Sequence, residues 1–301
     1  MESLGYIVIT PARNEGKYIE KTLLSMVSQT ISPKVWVIVD DASTDNTADL
    51  IKDYARRYEW IHYVAKSMRD GSYFSSMVST WNYGYRETIE EKYEIIGKLD
   101  ADYSFGPDYY MLLLEEFKRN PKLGIAGGGL IDSHDGRHTP QRNPIEQVPG
   151  GHQTFRRKCF EDIGGLRDIP QGGDDTVAVT MARLRGWETR IFTDLPIYHL
   201  KPANIAYGGS LNRNYQMGVR DYCLGSHPVF EILKCLRRSL DTPLILGVVS
   251  RFVGFWSAVF SGIDGKVPHE ARMFLRYEQL SRAFPFLRRI LMERGRRLGM
   301  Q

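Results

Sequence analysis

The fold class this sequence predicts is α/β, a parallel-type sheet whose apolar strands alternate with amphipathic helices. Three observations predict it. Two runs, Tyr6-Ile7-Val8-Ile9-Thr10 and Val35-Trp36-Val37-Ile38-Val39, are rich in β-branched residues and apolar almost throughout, as strands covered on both faces are. Each run passes through a polar loop into a segment of helical character. The polar clusters follow strand ends, and open α/β sheets bind ligands in the crevice beyond the carboxyl ends of their strands.

In chain order, the first strand leads into Pro11-Ala12-Arg13-Asn14-Glu15 and then a helix over Tyr18–Val27, with Ile19, Leu23 and Met26 on one face. The second strand runs into Asp40-Asp41-Ala42-Ser43-Thr44-Asp45-Asn46-Thr47 and a helix to about Tyr58, with Asp45 or Ser43 as its cap. A third apolar stretch ends in Gly97-Lys98-Leu99-Asp100-Ala101-Asp102. Two positions apart on an extended chain, Asp100 and Asp102 point the same way, and paired hard oxygen ligands suit Mg²⁺ or Mn²⁺ holding a diphosphate. The chemistry suggested is group transfer from a nucleotide. Gly127-Gly128-Gly129, at the end of another apolar strand, reads as mainly structural. Further on come Pro149-Gly150-Gly151-His152, then Gly173-Asp174-Asp175 ahead of a helix ending Leu184-Arg185-Gly186-Trp187, then a strand leading to His199.

These ordered motifs resemble the family 2 glycosyltransferases over roughly the first two hundred residues, most specifically in Val39–Asp45, Asp100-Ala101-Asp102 and Gly173-Asp174-Asp175. The resemblance implies the GT-A nucleotide-sugar fold, a Rossmann-like mixed central sheet flanked by helices. It also implies that Pro11, Ala12, Arg13, Asn14 and Glu15, with Asp40, Asp41 and Asp100, receive the nucleotide, a carboxylate being able to accept from a uracil N3–H or a ribose hydroxyl. Asp102 is the expected metal ligand, Asp100 lies nearer the ribose or supports the ion, and His199 is a candidate nitrogen ligand or diphosphate contact, hydrogen-bonded scaffolding being its alternative. The family usually has Glu-Asp where this chain has Asp174-Asp175, which leaves the division of labour between the two acids open. Asp175 is the candidate base and Asp174 the residue that orients the acceptor, since paired carboxylates raise each other's pKa towards neutrality. Gly150 and Gly151 resemble the floor of the acceptor side, where glycine lets backbone approach a ligand. Arg13, Lys66, Arg69 and Arg156 are candidate phosphate or acceptor contacts, with solvated surface charge as the simpler reading.

A chain of 301 residues with a net charge of +4 accommodates one catalytic domain, placed here at 1–205, and a helical C-terminal extension at 206–301. The three cysteines, Cys159, Cys223 and Cys235, lack metal-site spacing and point to a reduced cytoplasmic setting, and no leader is read at the amino end. After Lys201, the stretch through Tyr207-Gly208-Gly209 and Asn212–Gln216 looks flexible enough to form a lid over the donor. Phe230–Leu240 reads as a helix with a basic face. Pro243–Gly262 is about as long as a membrane span, but its central Arg251 is costly in hydrocarbon. An interfacial helix, or one packed on protein, is the better reading. The tail carries Arg276, Arg282, Arg288, Arg289, Arg294, Arg296 and Arg297, which anionic headgroups attract.

The expected activity is metal-dependent, inverting transfer of a sugar from a nucleoside diphosphate donor, with UDP as carrier and Mn²⁺ or Mg²⁺ as cofactor, to a saccharide or lipid-linked acceptor. Peripheral attachment to the inner face of the plasma membrane is the expected location. Nucleic acid is excluded as a partner by the lack of any recognition motif. A dinucleotide oxidoreductase lacks its Gly-X-Gly-X-X-Gly here. A sugar-phosphate nucleotidyltransferase would want a glycine-rich basic loop that Pro11–Gly16 does not supply. The non-enzyme alternative is a membrane-docking protein that retains the fold without turnover.

Overall fold

The structure is a computed structural model and describes residues 4–67, 73–88, 90–134, 136–202, 209–241 and 245–284. Arg69, Tyr207, Gly208, Pro243 and the arginines from Arg288 onward lie outside the described residues. The chain forms two compact units, Met1–Arg167 with Asp174–Pro202, and Asp168–Gly173 with Ala203–Gln301.

The first unit is a mixed sheet flanked by helices. In chain order its elements are β1 (Tyr6–Ala12), α1 (Ile19–Val27), β2 (Val35–Asp41), α2 (Thr47–Arg57), β3 (Ile61–Lys66), α3 (Tyr73–Arg86), β4 (Ile95–Lys98), β5 (Tyr103–Phe105), α4 (Tyr109–Arg119), β6 (Leu123–His134), β7 (Arg137–Pro140), β8 (Thr154–Arg156), α5 (Arg157–Asp162), α6 (Asp174–Leu184) and β9 (Glu188–His199). The strand order is β3-β2-β1-β4-β8-β6-β9-β5, with β7 hairpinned onto β6. β3, β2, β1 and β4 are parallel, as continuous apolar runs demand, and every residue of β1 and β2 is buried. β8 turns antiparallel to β4 and β6, and β9 runs parallel to β6 with an irregularity between Gly128 and Gly129. The ends of β1, β2 and β4 therefore lie side by side, each handing its polar loop to the same edge.

Helix α1 lays Ile19, Leu23 and Met26 on this sheet with no exposed surface, the face its period of 3.6 requires. Trp36 is fully buried, and its indole N–H is satisfied by the Thr10 hydroxyl at 2.9 Å. Thr22 of α1 donates to the carbonyl of Ala101 (2.8 Å) and accepts from the N–H of Tyr103 (3.1 Å). A core helix thus pins the Asp-X-Asp turn itself.

The second unit is helical, with α7 (Ser210–Cys223), α8 (Pro228–Asp241), α9 (Ile245–Ser261) and α10 (His269–Ala283). Asn212–Gln216, read as a flexible lid, belongs instead to α7. Its polar composition hides a helical face, and that face buries Gly218, Val219 and Cys223. α7 and α9 cross so closely that a Cβ on Gly218 would lie 2.0 Å from the carbonyl oxygen of Arg251. Arg251, costly in hydrocarbon, is buried in protein here: its Nε lies 3.0 Å from Glu231 Oε1, its Nη2 meets Asp221 Oδ2, and Lys234 Nζ stands 2.6 Å from Asp221 Oδ2. Burial alone would raise the Asp221 pKa, but Lys234 and Arg251 outweigh it and hold the group at about 2. No helix among the described residues is long and apolar enough to cross a membrane.

Candidate active site

Two loops at the sheet edge are stitched together before any ligand is considered. Asn14, at φ 51°, donates its backbone N–H to Ser43 Oγ (3.0 Å), and its Oδ1 accepts from the N–H of Thr44 (2.8 Å). Asp45 accepts from the backbone of Thr47 and of Gly16 at 3.0 Å each, so it starts α2 and ties the first loop to the second. The Arg13 guanidinium donates to the carbonyl of Asp41. Ser43 and Asp45 are thereby structural.

The cavity beside these loops is lined by Pro11, Ala12, Arg13, Glu15, Asp41, Asp100, Ala101 and Asp102, joined by Ser76, Met77 and Thr80 of α3 and by Lys201. Asp41, rather than Asp40, stands in its wall. Asp40 accepts from the N–H of Ser43 (3.0 Å) and the Tyr63 hydroxyl (3.3 Å), holding the turn. Asp41 accepts from the Ser76 hydroxyl at 2.6 Å and lies 3.5 Å from Lys66 Nζ. Asn14 faces the Ser43–Thr44 turn and is not part of the cavity wall.

The cavity is rich in carboxylates that lack full compensation. Glu15 Oε1 bonds Lys201 Nζ at 2.6 Å, while its Oε2 is buried without a hydrogen-bond partner. Burial and the neighbouring Asp102 push Glu15 up to about 7 against the pull of Lys201. Asp100 Oδ1 is likewise buried and unpartnered, and burial, with Asp102 and Asp174 nearby, pushes its carboxyl up to about 6 despite Lys98. His199 sits between Asp102 (Nε2 to Oδ2, 3.4 Å) and Asp132 (Nδ1 to Oδ1, 3.2 Å), with its ring against Tyr103. Burial would lower its pKa, yet the two carboxylates raise it to about 9.

Among the described residues no three His, Cys, Asp or Glu side chains form a ready coordination cage. A donor-bound Mg²⁺ or Mn²⁺ does not need one, because such ions take one or two carboxylates and complete their shells with substrate phosphates and water. Asp102 and the unpartnered oxygen of Asp100 fit that requirement and their negative charge is what a cation would offset, whereas His199, protonated between Asp102 and Asp132, would have to release a proton before its imidazole could ligate.

Asp174 and Asp175 open α6 in the same unit but do not line this cavity. Asp174 is held by Lys98, whose Nζ lies 2.7 Å from Oδ2. Burial would lower the lysine's pKa, and Asp174 and Asp100 more than reverse it. Asp175 Oδ1 accepts from the N–H of Thr176 at 2.7 Å. The space beside Gly150 and Gly151 is filled by protein: a Cβ on Gly150 would come 2.9 Å from Asp175 Cβ, and one on Gly151 2.4 Å from the Tyr103 hydroxyl. Those glycines let Asp175 and Tyr103 close in, and Asp100 N–H bonds the Gly151 carbonyl at 2.8 Å. Arg156 is engaged with the carbonyls of Phe117, Asn120 and Leu123.

Lys98, Asp132 and Lys201 escaped the sequence reading. Lys98 carried a signal, since it precedes Asp100 by two and shares its side of the strand. Asp132 meets His199 only through the register of β6 against β9.

Known proteins resemble the chain in sequence and in fold. The sequence profile of Glycosyl transferase family 2 matches residues 7–176. A poly-beta-1,6-N-acetyl-D-glucosamine synthase of Staphylococcus epidermidis is 31% identical over 170 residues, which cover 50% of this chain and 39% of the relative, so the chain spans about two fifths of that protein's length. Among solved structures, the mannosyltransferase PcManGT of Pyrobaculum calidifontis, in complex with GDP-Man and Mn²⁺, superposes with a TM-score of 0.56 at 18% identity, covering 95% of this chain and 83% of that one. TarS 1–349 of S. aureus, in complex with UDP-GlcNAc, gives a TM-score of 0.55 at 17% identity, covering 93% and 80%. These structures share the GT-A fold with the chain described here. By its profile match across more than half its length, and with the fold to go with it, the chain belongs to glycosyl transferase family 2.

Proposed function

We propose that this glycosyltransferase moves a sugar from a nucleoside diphosphate donor, with UDP as carrier, to a hydroxyl of a saccharide or lipid-linked saccharide, with inversion at the anomeric carbon. The observation that carries the reading is the convergence of Asp41, Asp100 and Asp102 on one cavity from the ends of two parallel strands, β2 and β4, that flank β1, with Asp174 held by Lys98 in the same unit. The relatives' own ligands, UDP-GlcNAc and GDP-Man with Mn²⁺, support a nucleotide-sugar donor and a divalent ion.

Asp41 accepts from the nucleoside, and Arg13 and Lys201 bring positive charge to the same wall. Asp102 and Asp100 would hold Mn²⁺ or Mg²⁺, with His199 a nitrogen ligand once it has released its proton, and the ion would supply Lewis-acid compensation of the charge on the departing diphosphate. Asp175 takes the proton of the attacking hydroxyl, and Asp174, fixed by Lys98, orients the acceptor. Peripheral contact with the cytoplasmic face of a membrane would bring a lipid-linked acceptor within reach.

Calorimetry of UDP-sugars against the full chain, with and without Mn²⁺, tests the donor reading, and release of UDP on adding saccharide acceptors tests turnover. Metal-dependent binding followed by UDP release is expected. Binding without release across donors and acceptors would favour a docking protein that has kept the fold.

A further inference from the structure

Helix α9 has two apolar faces, and among the described residues only one of them is buried. Its inner face, with Gly254, Phe255 and Ala258, is buried, and Arg251 on that side is anchored by Asp221 of α7 and Glu231 of α8. On the other face Leu246 is 65% exposed, Val249 and Val253 50% each, and Phe260 84%. Five of the exposed large apolar side chains among the described residues lie on this one helix, against four in the whole first unit. Isolated exposed leucines need no explanation; four exposed apolar side chains aligned on one side of a helix at positions i, i+3, i+7 and i+14 do. Phe252, Trp256 and Phe260 also form a run of rings with centroids 6.0 and 6.2 Å apart, the residue types that settle at the boundary between headgroups and acyl chains.

We infer that the outer face of α9 inserts in the plane of an anionic membrane surface. This rests on the peripheral attachment proposed above and assigns it to a surface. At 1.5 Å per residue the helix is about 26 Å long, short of the hydrocarbon thickness. Its Arg251 is committed to two carboxylates on the protein side, so the helix lies flat. Charge decides the occupant. Residues 228–301 hold thirteen Lys and Arg against six Asp and Glu, so the segment that contains α9 is net basic and would repel the same segment of a second copy, whereas anionic lipid supplies the opposite charge.

The test is flotation of the full chain with vesicles of phosphatidylcholine alone and of phosphatidylcholine with phosphatidylglycerol. Wild type is expected to float with the anionic vesicles. The double substitution Leu246→Asp with Phe260→Asp should reduce the bound fraction at least tenfold, and the milder Val249→Ser with Val253→Ser should reduce it partially, both with unchanged circular dichroism and unchanged UDP-sugar binding. Both pairs lie on exposed positions, so the fold is retained. Wild type floating while both variants float equally overturns the assignment to α9. Failure of wild type to float at all overturns attachment itself, and a dimer in solution that these substitutions dissociate makes the face a self-interface instead. Donor binding and UDP release, read separately, report on glycosyl transfer whichever way flotation falls.

Discussion

Lys98 Nζ lies 2.7 Å from Asp174 Oδ2, and the lysine side chain is 3% exposed. A buried ammonium thus stands directly against one member of the acid pair and acts on the other only at longer range. Removing one partner of such a pair strands the other charge, which costs about 3–5 kcal/mol. Lys98→Met is expected to lower stability by that order in urea denaturation and to abolish transfer. Lys98→Met with Asp174→Leu should regain most of the stability without regaining transfer.

Asp175 is separable from donor binding. Asp175→Asn should leave the calorimetric affinity for UDP-sugar within about twofold while lowering turnover by about 10²–10⁴, the usual contribution of a positioned base. Normal turnover in this variant would move the base elsewhere.

Asp102 should carry the ion. A ligand that binds only the folded state raises the melting temperature, so Mn²⁺ with UDP is expected to raise it in wild type. In Asp102→Asn the metal-dependent part of that rise should vanish, and EDTA should have the same effect on wild type.

His152 makes stability depend on pH. It is 2% exposed, its Nε2 is 3.0 Å from the Gly128 carbonyl and its Nδ1 has no partner, so the ring is buried neutral. Burial pushes its pKa down to about 4, against the pull of the Gly128 carbonyl, with His199 adding to the depression. A base whose folded pKa is depressed contributes stability that is present above its unfolded value, near 6.5, and is lost as pH falls towards 4. The loss amounts to about 3 kcal/mol when complete. Glu15 and Asp100, whose carboxyls burial raises, gain stability over the same range, so the His152 contribution is read as a difference: between pH 7 and pH 4 the urea midpoint of His152→Gln, which keeps a donor without titrating, should rise relative to that of wild type.

Arg251→Met should destabilise the helical unit, because Asp221 and Glu231 lose one of the two cations they share and keep only Lys234, 2.6 Å from each. Replacing Arg251, Lys234, Asp221 and Glu231 together by apolar residues of similar volume should recover much of the loss, as followed by helical circular dichroism during thermal unfolding.

What the sequence determined by itself was what local chemistry encodes. Ile19, Leu23 and Met26 announce a helix face by spacing, and β1 and β2 announce buried strands by continuous apolarity. Asp100-Ala101-Asp102 and Asp174-Asp175 stand at element ends because polar residues interrupt apolar runs there. The same local reading misjudged Asn212–Gln216, whose buried face reveals itself only against α9. Tertiary structure alone decided that Asp41 rather than Asp40 lines the cavity, that Lys98 reaches Asp174 across 76 positions, that Asp132 and His199 meet, and that Arg251 is paired rather than exposed. Periodicity along a chain reports which side of its own element a residue occupies. Which distant charge that side will meet depends on strand register and helix crossing, and those are set by the packing of the whole core.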